Sequence, residues 1–253
     1  MKAFLQSLAD VIFPRTCLSC PAVLREGGTK PFCEACDGKI SPISSPLCTL
    51  CGVPFPAPDG IDHVCGDCLK DPPPFDFARS AGCYEGPLLE AISRFKYRSR
   101  TATGVLLGQW MAARPWPGFR PTDYDRLLPV PLHANRLRQR GFNQAVILGR
   151  VVAGAFSIPF DPLVLQRRVH REPQVGLGRR DRRANVRGAF AASFPERIEG
   201  KNIVVLDDVY TTGSTVRECA RALKKAGAAR VAVLTLARAV EGGFRDTETE
   251  DMR

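Results

Sequence analysis

Residues 203–215 bring together the residue types needed to hold a sugar phosphate. Four apolar residues (Ile-Val-Val-Leu) are followed directly by Asp207 and Asp208. Two adjacent carboxylates can accept hydrogen bonds from vicinal hydroxyls or face a Mg²⁺ ion bound to a sugar. A turn of small and hydroxyl-bearing residues comes next, formed by Thr211, Thr212, Gly213, Ser214 and Thr215.

This hydroxyl-rich turn predicts an anion site. Backbone N–H groups at a turn entering a helix, together with the positive end of that helix, bind a monophosphate. Gly213 lets the backbone approach the ligand closely. Ribose 5-phosphate requires this order of groups, because its hydroxyls and its phosphate lie on opposite sides. An ordinary capped strand-turn-helix explains the turn but not the paired aspartates, and no Gly-x-x-x-x-Gly-Lys nucleotide loop occurs.

A second group of reactive residues lies near the N-terminus, where eight of the ten cysteines form four Cys-x-x-Cys pairs. Two intervening residues place both thiolates of a pair on one tight turn, at the ~2.3 Å reach of a metal. Two such turns complete a tetrahedral site. The spacing predicts two structural zinc sites and allows sequential or crossed pairing. The predicted ligands are Cys17, Cys20, Cys33, Cys36, Cys48, Cys51, Cys65 and Cys68.

Other roles for these cysteines fit less well. Disulfides are disfavoured in the reducing cytoplasm, where a chain without an export signal is expected. Redox motifs of the thioredoxin type occur singly, at a strand–helix junction. His63 precedes Cys65 by two residues and could replace a ligand, but a solvated histidine is the preferred interpretation. Cys83 and Cys219 stand outside the pairs and are expected to be small core residues.

The elements around residues 203–215 follow an alternating pattern, which predicts an α/β fold: a parallel sheet with helices on both faces. In such sheets ligands lie beyond the carboxyl ends of the strands, where the acidic pair falls. The predicted strands are 77–84, 126–130, 163–165, 188–194, 203–206 and 231–236. The predicted helices are 88–97, 104–113, 143–155 and 216–226.

Composition and charge divide the chain. The formal charge is +10, yet residues 1–76 hold six Lys and Arg against nine Asp and Glu. That segment therefore carries −3 and the remainder +13, which indicates a polyanionic ligand of the C-terminal part. No apolar run approaches the ~20 residues of a membrane span, so a cytoplasmic protein is predicted. The predicted domains are an amphipathic helix (1–16), a double zinc ribbon (17–70), a proline-rich linker (71–76), an α/β domain (77–240) and a disordered tail (241–253).

The motifs resemble those of a known family. Residues 203–215 resemble the signature of type I phosphoribosyltransferases that binds 5-phosphoribosyl-1-pyrophosphate (PRPP). Residues 128–133 (Leu-Pro-Val-Pro-Leu-His) and 140–144 (Arg-Gly-Phe-Asn-Gln) are similar to the segment after the strand that bears the pyrophosphate loop. Residues 173–190 and the Phe-Lys-Tyr at 95–97 resemble one subgroup, the ComF competence-protein family. In that family a double zinc ribbon precedes a phosphoribosyltransferase domain with a Rossmann-like parallel sheet.

The resemblance implies a ligand set and a site. It implies two structural Zn²⁺ ions and binding of PRPP with Mg²⁺. Asp207 and Asp208 would be the catalytic pair if the chain is an enzyme. The residues implied to bind PRPP are Asp207, Asp208, Thr211, Thr212, Gly213, Ser214, Thr215, Pro131 and Arg140. Purine-salvage enzymes of the hypoxanthine-guanine type have an aspartate where this chain has Thr211, so that general base is absent here.

Two functions remain open at this point. As a ComF-type protein, the chain would support DNA uptake on the cytoplasmic side, with the uptake machinery of the inner membrane as partner. As a transferase, it would move phosphoribose to a base, an amine or ammonia. The arginine-rich stretch 166–187 is predicted to be a flap over PRPP, a contact for single-stranded DNA, or a solvated loop. The nucleophile and the oligomeric state stay undetermined.

Overall fold

The structure is a computed structural model. It describes residues 15–24, 30–56, 59–97, 101–168 and 187–240. Three predicted features therefore lie wholly or largely outside the described residues: the N-terminal helix (1–16), the arginine-rich stretch (166–187) and the tail (241–253). Within the described part, no helix is long and apolar enough to cross a bilayer.

Six strands in the described part of the chain form two sheets. They are β1 (Phe77–Ser80), β2 (Arg126–Pro129), β3 (Leu165–Arg167), β4 (Phe190–Ala192), β5 (Asn202–Tyr210) and β6 (Arg230–Arg238). The main sheet is entirely parallel, with the order β1–β6–β5–β2, and β3 pairs antiparallel with β4 in a separate ribbon. Strand β5 thus lies inside the sheet, where its apolar run is buried between two neighbours.

The described residues also contain seven helices, of which the first two lie in the cysteine-rich segment before β1. They are α1 (Glu34–Asp37), α2 (Gly66–Lys70), α3 (Gly86–Tyr97), α4 (Thr101–Ala112), α5 (Ala134–Arg140), α6 (Gln144–Phe156) and α7 (Ser214–Lys225). Two short 3₁₀ turns cover Pro121–Asp123 and Pro195–Arg197. The side chain of Asn143 caps α6 by accepting a hydrogen bond from the Ala145 amide (2.9 Å). All four predicted long helices are present, with boundaries shifted by at most three residues.

Several predicted strand boundaries differ from the structure. Strand β5 does not end at Leu206 but continues through the acidic pair to Tyr210, because its register with β6 continues to the pairing of Tyr210 with Arg238. Strand β1 ends four residues earlier than predicted. The strand predicted at 163–165 begins only at Leu165, and it belongs to the antiparallel pair instead of the main sheet.

The two faces of the sheet carry different parts of the chain, since successive side chains of a strand point to opposite faces. Val204 and Leu206 face a core shared with α3, α4 and α6. Phe32, which directly precedes Cys33, lies in that core. Ile203 and Val205 face a core shared with α7, β3 and β4. This second core includes Cys48, Cys51 and Cys68. We call residues 17–40 ribbon one and residues 48–70 ribbon two. The ribbons therefore pack on different faces of one sheet.

Each ribbon is fixed by polar as well as apolar contacts. In ribbon one, Asp37 Oδ1 accepts hydrogen bonds from Trp110 Nε1 and from Arg114, both at 2.8 Å. In ribbon two, the Leu50 carbonyl accepts from the Ala78 amide of edge strand β1 (2.7 Å). Ribbon two thus covers a sheet edge that would otherwise expose unpaired backbone groups.

The proline-rich segment at 71–76 is also packed against the α/β domain. Phe75 is only 3% exposed, and the Asp76 amide and carboxylate bond to the backbone of Val231 at 2.8 and 2.7 Å. Ribbon two and the sheet consequently form one continuous unit of structure.

Candidate functional site

The acidic pair lies near the C-terminal end of strand β5, shortly before the hydroxyl-rich turn. Asp207 Oδ1 accepts a hydrogen bond from the Asp208 amide (2.9 Å), and Asp208 Oδ1 accepts one from the Val209 amide (2.7 Å). These bonds fix both carboxylates, and they leave the second oxygen of each for a ligand or a neighbouring cation. Burial and the charge of Asp208 raise the pKa of Asp207 well above its usual value.

Lys96, from α3, is the cation beside this pair. Its Nζ lies 3.4 Å from Asp208 Oδ2, and both side chains are less than one-fifth exposed. Burial lowers the pKa of Lys96, but the charge of Asp208 outweighs burial and raises that pKa overall. The ammonium also lies 5.8 Å from the ring centre of Tyr84. The sequence marked Lys96 only as part of a family motif, because its partner lies more than one hundred residues away in the chain.

The hydroxyl-rich turn forms the wall of a cavity. The cavity encloses about 190 Å³, part of it continuous with solvent. Its lining consists of Asp207, Val209, Tyr210, Thr211, Gly213, Ser214, Thr215 and Val216. The Thr212 and Ser214 hydroxyls are hydrogen-bonded at 2.8 Å, which orders the turn at the start of α7. The cavity thus joins a carboxylate to the N-terminus of a twelve-residue helix.

The turn requires glycine at position 213, both for its backbone conformation and for lack of space. Its φ of +73° lies in the left-handed region, which a residue with a Cβ adopts only at a cost. A Cβ at this position would lie 2.3 Å from the hydroxyl oxygen of Tyr210, so the space is also closed. The Tyr210 ring, 4% exposed, lies directly beneath the turn.

The predicted pyrophosphate side lies on the neighbouring strand. The amide of Val130, just before Pro131, donates to the Leu206 carbonyl (2.9 Å), which holds this loop beside the acidic pair. Asn143 Nδ2 donates to the Val130 carbonyl (3.0 Å) from the other side. The loop that begins at Pro131 therefore starts beside the end of the strand that carries the acidic pair, and a binding role for Pro131 stays a prediction.

Arg140 ends α5, a helix that was not among the sequence predictions. The His133 ring caps its start by accepting from the Asn135 amide (3.2 Å), and Gly141 ends it with φ +75°. Arg140 interacts electrostatically with Lys96, which places its guanidinium near the acidic pair. Arg138 points to solvent, so the three arginines of this helix do not share one face.

Arg167 is a site residue that sequence reasoning did not single out. It ends β3, and it interacts electrostatically with Asp207 and with Arg136. Its Nε is buried and has no hydrogen-bond partner among the described residues. A buried cationic donor without a partner at the edge of an anion site is placed to receive a ligand oxygen. Arg167 lies within the predicted arginine-rich stretch 166–187, and its position at the end of a strand was the signal that could have separated it from the other arginines there.

The eight predicted metal ligands form two sequential groups. Cys17, Cys20, Cys33 and Cys36 make one, and Cys48, Cys51, Cys65 and Cys68 make the other, with all ligand atoms of a group within 4.8 Å of one another. A tetrahedral zinc site with bonds of about 2.3 Å separates its thiolates by about 3.8 Å. The Cys20–Cys33 and Cys51–Cys65 sulfur distances are 3.7 and 3.8 Å. The cysteines therefore fit zinc, and the sequential pairing is the one present.

The pKa shifts of the thiols also favour a bound metal ion. Burial raises the pKa of Cys17, but amide hydrogen bonds from Cys33 and Ser19 outweigh it and lower the pKa to about 7. Burial and the neighbouring thiols raise the pKa of Cys36 to about 12. Four close thiols cannot all ionise at neutral pH without a cation, so this arrangement suits a divalent metal.

His63 is not part of either group. Its Nδ1 lies 2.9 Å from the Ile61 carbonyl oxygen, and its ring stacks on Phe55 with centroids 3.9 Å apart. The two isolated cysteines, Cys83 and Cys219, are 6% and 0% exposed, which confirms the prediction of core positions.

Comparison with known proteins supports both halves of this description. A family model for a double zinc ribbon domain matches residues 8–69, and one for a phosphoribosyl transferase domain matches residues 143–251. A solved structure of a glutamine PRPP amidotransferase from B. subtilis aligns with 58% of this chain and 27% of that chain. Its TM-score of 0.33 and identity of 22% are too low to bear on function.

Three curated proteins are similar over most of their length. DNA utilization protein YhgH of Salmonella typhimurium is 33% identical over 89% of this chain and 97% of that protein. Competence protein F of Haemophilus influenzae is 33% identical over 82% of this chain and 90% of that protein. Competence protein ComFC of Bacillus subtilis is 30% identical over 81% of this chain and 83% of that protein.

The fold and the site define an α/β protein of the phosphoribosyltransferase class with a double zinc ribbon at its N-terminus. Identity of 30–33% over 83–97% of the length of these relatives defines the family within this class. The chain belongs to the ComF competence-protein family. This confirms the family and the fold class that the sequence motifs predicted.

Proposed function

We propose that this protein binds PRPP with Mg²⁺ beyond the end of β5 and supports DNA uptake on the cytoplasmic side of the membrane. One observation carries the ligand proposal. A single cavity joins a carboxylate, Asp207, to a hydroxyl-rich turn at the start of α7. This order of groups matches the hydroxyls and the 5-phosphate of a phosphoribosyl group.

Each part of the ligand has a counterpart in the chain. The 5-phosphate accepts hydrogen bonds from the backbone and hydroxyls of residues 211–215, and the ribose hydroxyls donate to Asp207 and Asp208. The diphosphate lies toward Pro131 and toward Arg140 and Arg167, and the positive charges of the two arginines offset its negative charge. Mg²⁺ would neutralise part of the diphosphate charge.

Titration calorimetry with PRPP and Mg²⁺ tests this assignment. A hydrogen bond to a charged group contributes about 1.5–3 kcal/mol, so the double variant Asp207→Ala/Asp208→Ala should bind at least about a hundredfold more weakly than wild type. Glu196→Ala/Glu199→Ala, which removes two exposed carboxylates outside the cavity lining, serves as the charge-matched control. Circular dichroism shows whether the fold is retained. Equal affinity in the double variant and in wild type would overturn the site.

The cavity favours binding over turnover. Transfer to a nucleophile needs a group that accepts its proton when the nucleophile is not already deprotonated. Among the described residues, the lining offers one carboxyl group and no histidine, and Thr211 stands where a general base would be expected. Release of pyrophosphate from PRPP, measured with bases, amines and ammonia, separates the two functions. Release that depends on one nucleophile would establish a transferase and refute a binding role alone.

We also propose that single-stranded DNA contacts the basic side of the α/β domain. Residues 77–253 carry a formal charge of +13, and α5 adds Arg136 and the exposed Arg138 to this basic part of the chain. The names of the two relatives from Salmonella typhimurium and Haemophilus influenzae refer to DNA utilization and to competence. The predicted partner, the uptake machinery at the inner membrane, belongs to the same proposal.

Fluorescence anisotropy with a labelled oligothymidylate tests DNA binding. Arginine–phosphate contacts release counterions, so affinity should fall steeply with salt. Arg136→Ala/Arg138→Ala should weaken binding and lower the slope of log affinity against log salt. Arg79→Ala would be an unsuitable control, because that side chain is buried. Arg120→Ala, an exposed arginine distant in sequence from α5, is the better control. Identical salt slopes for wild type and the double variant would refute contact through α5.

A further inference from the structure

We propose that Arg238 is a positioning residue that couples the metal site of ribbon two to the phosphate turn. Ribbon two would then be part of the ligand site, whereas ribbon one would only stabilise the fold. The ligand named below rests on the proposed function, but the mechanical coupling does not depend on it.

Arg238 connects to ribbon two at a predicted metal ligand. It ends β6, it is 6% exposed, and its Nη1 donates to the Cys51 carbonyl at 2.6 Å. Its Nη2 lies 3.5 Å from Cys51 Sγ. Hydrogen bonds from outer residues to a ligating atom orient that ligand and tune the metal site. The position of the guanidinium therefore depends on the position of Cys51.

The same guanidinium connects to the phosphate turn. Its central carbon lies 4.2 Å from the ring centre of Tyr210, a cation–π contact away from solvent. The Tyr210 ring in turn lies so close under Gly213 that no Cβ would fit between them. A shift of Arg238 must move Tyr210, and a shift of Tyr210 must move the turn.

A second arginine holds the turn from the opposite side. Arg217 of α7, 6% exposed, donates to the carbonyls of Asp71 and Pro72 at 2.8 and 3.3 Å, directly after ribbon two. Its own amide donates to the Gly213 carbonyl (2.9 Å). The turn is thus fixed between two buried arginines, and both are anchored in or next to ribbon two.

Ribbon one provides the contrast. Its hydrogen bonds to the described part of the α/β domain come from Trp110 of α4, from Arg114 just after α4 and from Arg94 of α3. It packs on the other face of the sheet. Loosening ribbon one should therefore leave the phosphate turn in place.

The test uses the full-length, zinc-loaded protein. Arg238→Met removes the hydrogen bonds to Cys51, and Arg238→Lys keeps the charge beside Tyr210. Trp110→Phe is the matched control, since it removes the corresponding bond to ribbon one. Three quantities are measured: release of each zinc to a chromogenic chelator, deuterium uptake of residues 211–215, and affinity for PRPP with Mg²⁺.

We expect Arg238→Met to release one zinc about tenfold faster, to increase deuterium uptake in residues 211–215, and to weaken PRPP binding about tenfold, within the usual range of coupling between sites. Arg238→Lys should show smaller changes of the same kind. PRPP should slow release of that same zinc in wild type, because coupling is reciprocal. Trp110→Phe should affect the other zinc and leave PRPP affinity unchanged.

Unchanged zinc release and unchanged uptake in Arg238→Met would overturn the coupling, as would equal loss of PRPP affinity in Trp110→Phe. Failure of the proposed function looks different. In that case wild type would not bind PRPP, while Arg238→Met would still change zinc release and deuterium uptake.

Discussion

Replacing Gly213 by alanine tests how the phosphate turn is built. Two separate features oppose a side chain here: the left-handed backbone at φ +73° and the Tyr210 ring beneath it. Gly200 supplies a matched control. Its φ is +68°, yet no heavy atom lies within 4 Å of the place where its Cβ would be. The two substitutions therefore share the backbone strain and differ in the contact.

The expected magnitudes follow from this difference. A left-handed conformation costs a non-glycine residue about 1–2 kcal/mol. Adding a methyl group to a closed space costs about 1–3 kcal/mol more. Gly200→Ala should thus lower the free energy of unfolding by about 1–2 kcal/mol, and Gly213→Ala by about 2–5 kcal/mol. The contact distances of 2.3 and 2.5 Å to the Tyr210 hydroxyl oxygen and Cζ place Gly213→Ala in the upper part of that range.

Urea unfolding at a fixed zinc concentration measures both changes, because bound metal contributes to apparent stability. Tyr210→Leu removes the ring atoms nearest to the new methyl group, and in that background Gly213→Ala should cost no more than Gly200→Ala. The double-mutant cycle isolates the contact from the backbone strain. Equal costs for Gly200→Ala and Gly213→Ala in the wild-type background would refute the proposed support of the turn by Tyr210.

Three further predictions concern charge, core and metal. Because the pKa of Asp207 is raised in the folded state, the free energy of unfolding of the ligand-free protein should fall as pH rises from about 4 through that raised pKa. Urea unfolding over the same pH range should show no such fall for Asp207→Asn. Phe95→Ala, at a fully buried position, should lower the free energy of unfolding by about 3–5 kcal/mol, whereas Phe194→Ala, 41% exposed, should change it by less than 1 kcal/mol. Metal analysis should find two zinc ions per chain, and chelation should lower the melting temperature measured by scanning fluorimetry, with re-addition of zinc restoring it.

Local signals explain what the sequence predicted well. The apolar run of β5, the cap of α6 by Asn143 and the turn before α7 each depend on a few neighbouring residues. The metal ligands follow from spacing alone. These features were therefore open to prediction without any knowledge of the tertiary structure.

Non-local contacts explain what the sequence did not predict. Strand β5 continues through two aspartates, which disfavour strands, because pairing such as Val209 with Ala237 outweighs that preference. Helix α5 has no buried residue and ends within two turns, so it has no apolar periodicity to detect. Lys96 and Arg167 reach the acidic pair from distant parts of the chain. The placement of the ribbons on different faces is likewise tertiary information.

The acidic pair itself argues for a site made to hold a ligand. Without ligand, Asp208 faces Lys96 at 3.4 Å, and burial together with the charge of Asp208 raises the pKa of Asp207 well above its usual value. Hydroxyls that donate to both carboxylates stabilise their ionised forms, and Lys96 offsets the second charge, so a ribose satisfies groups that are otherwise imperfectly matched. Both carboxylates are then occupied by the sugar. Because the cavity lining contains no other proton acceptor of suitable pKa among the described residues, any nucleophile would have to arrive already deprotonated or bring its own base.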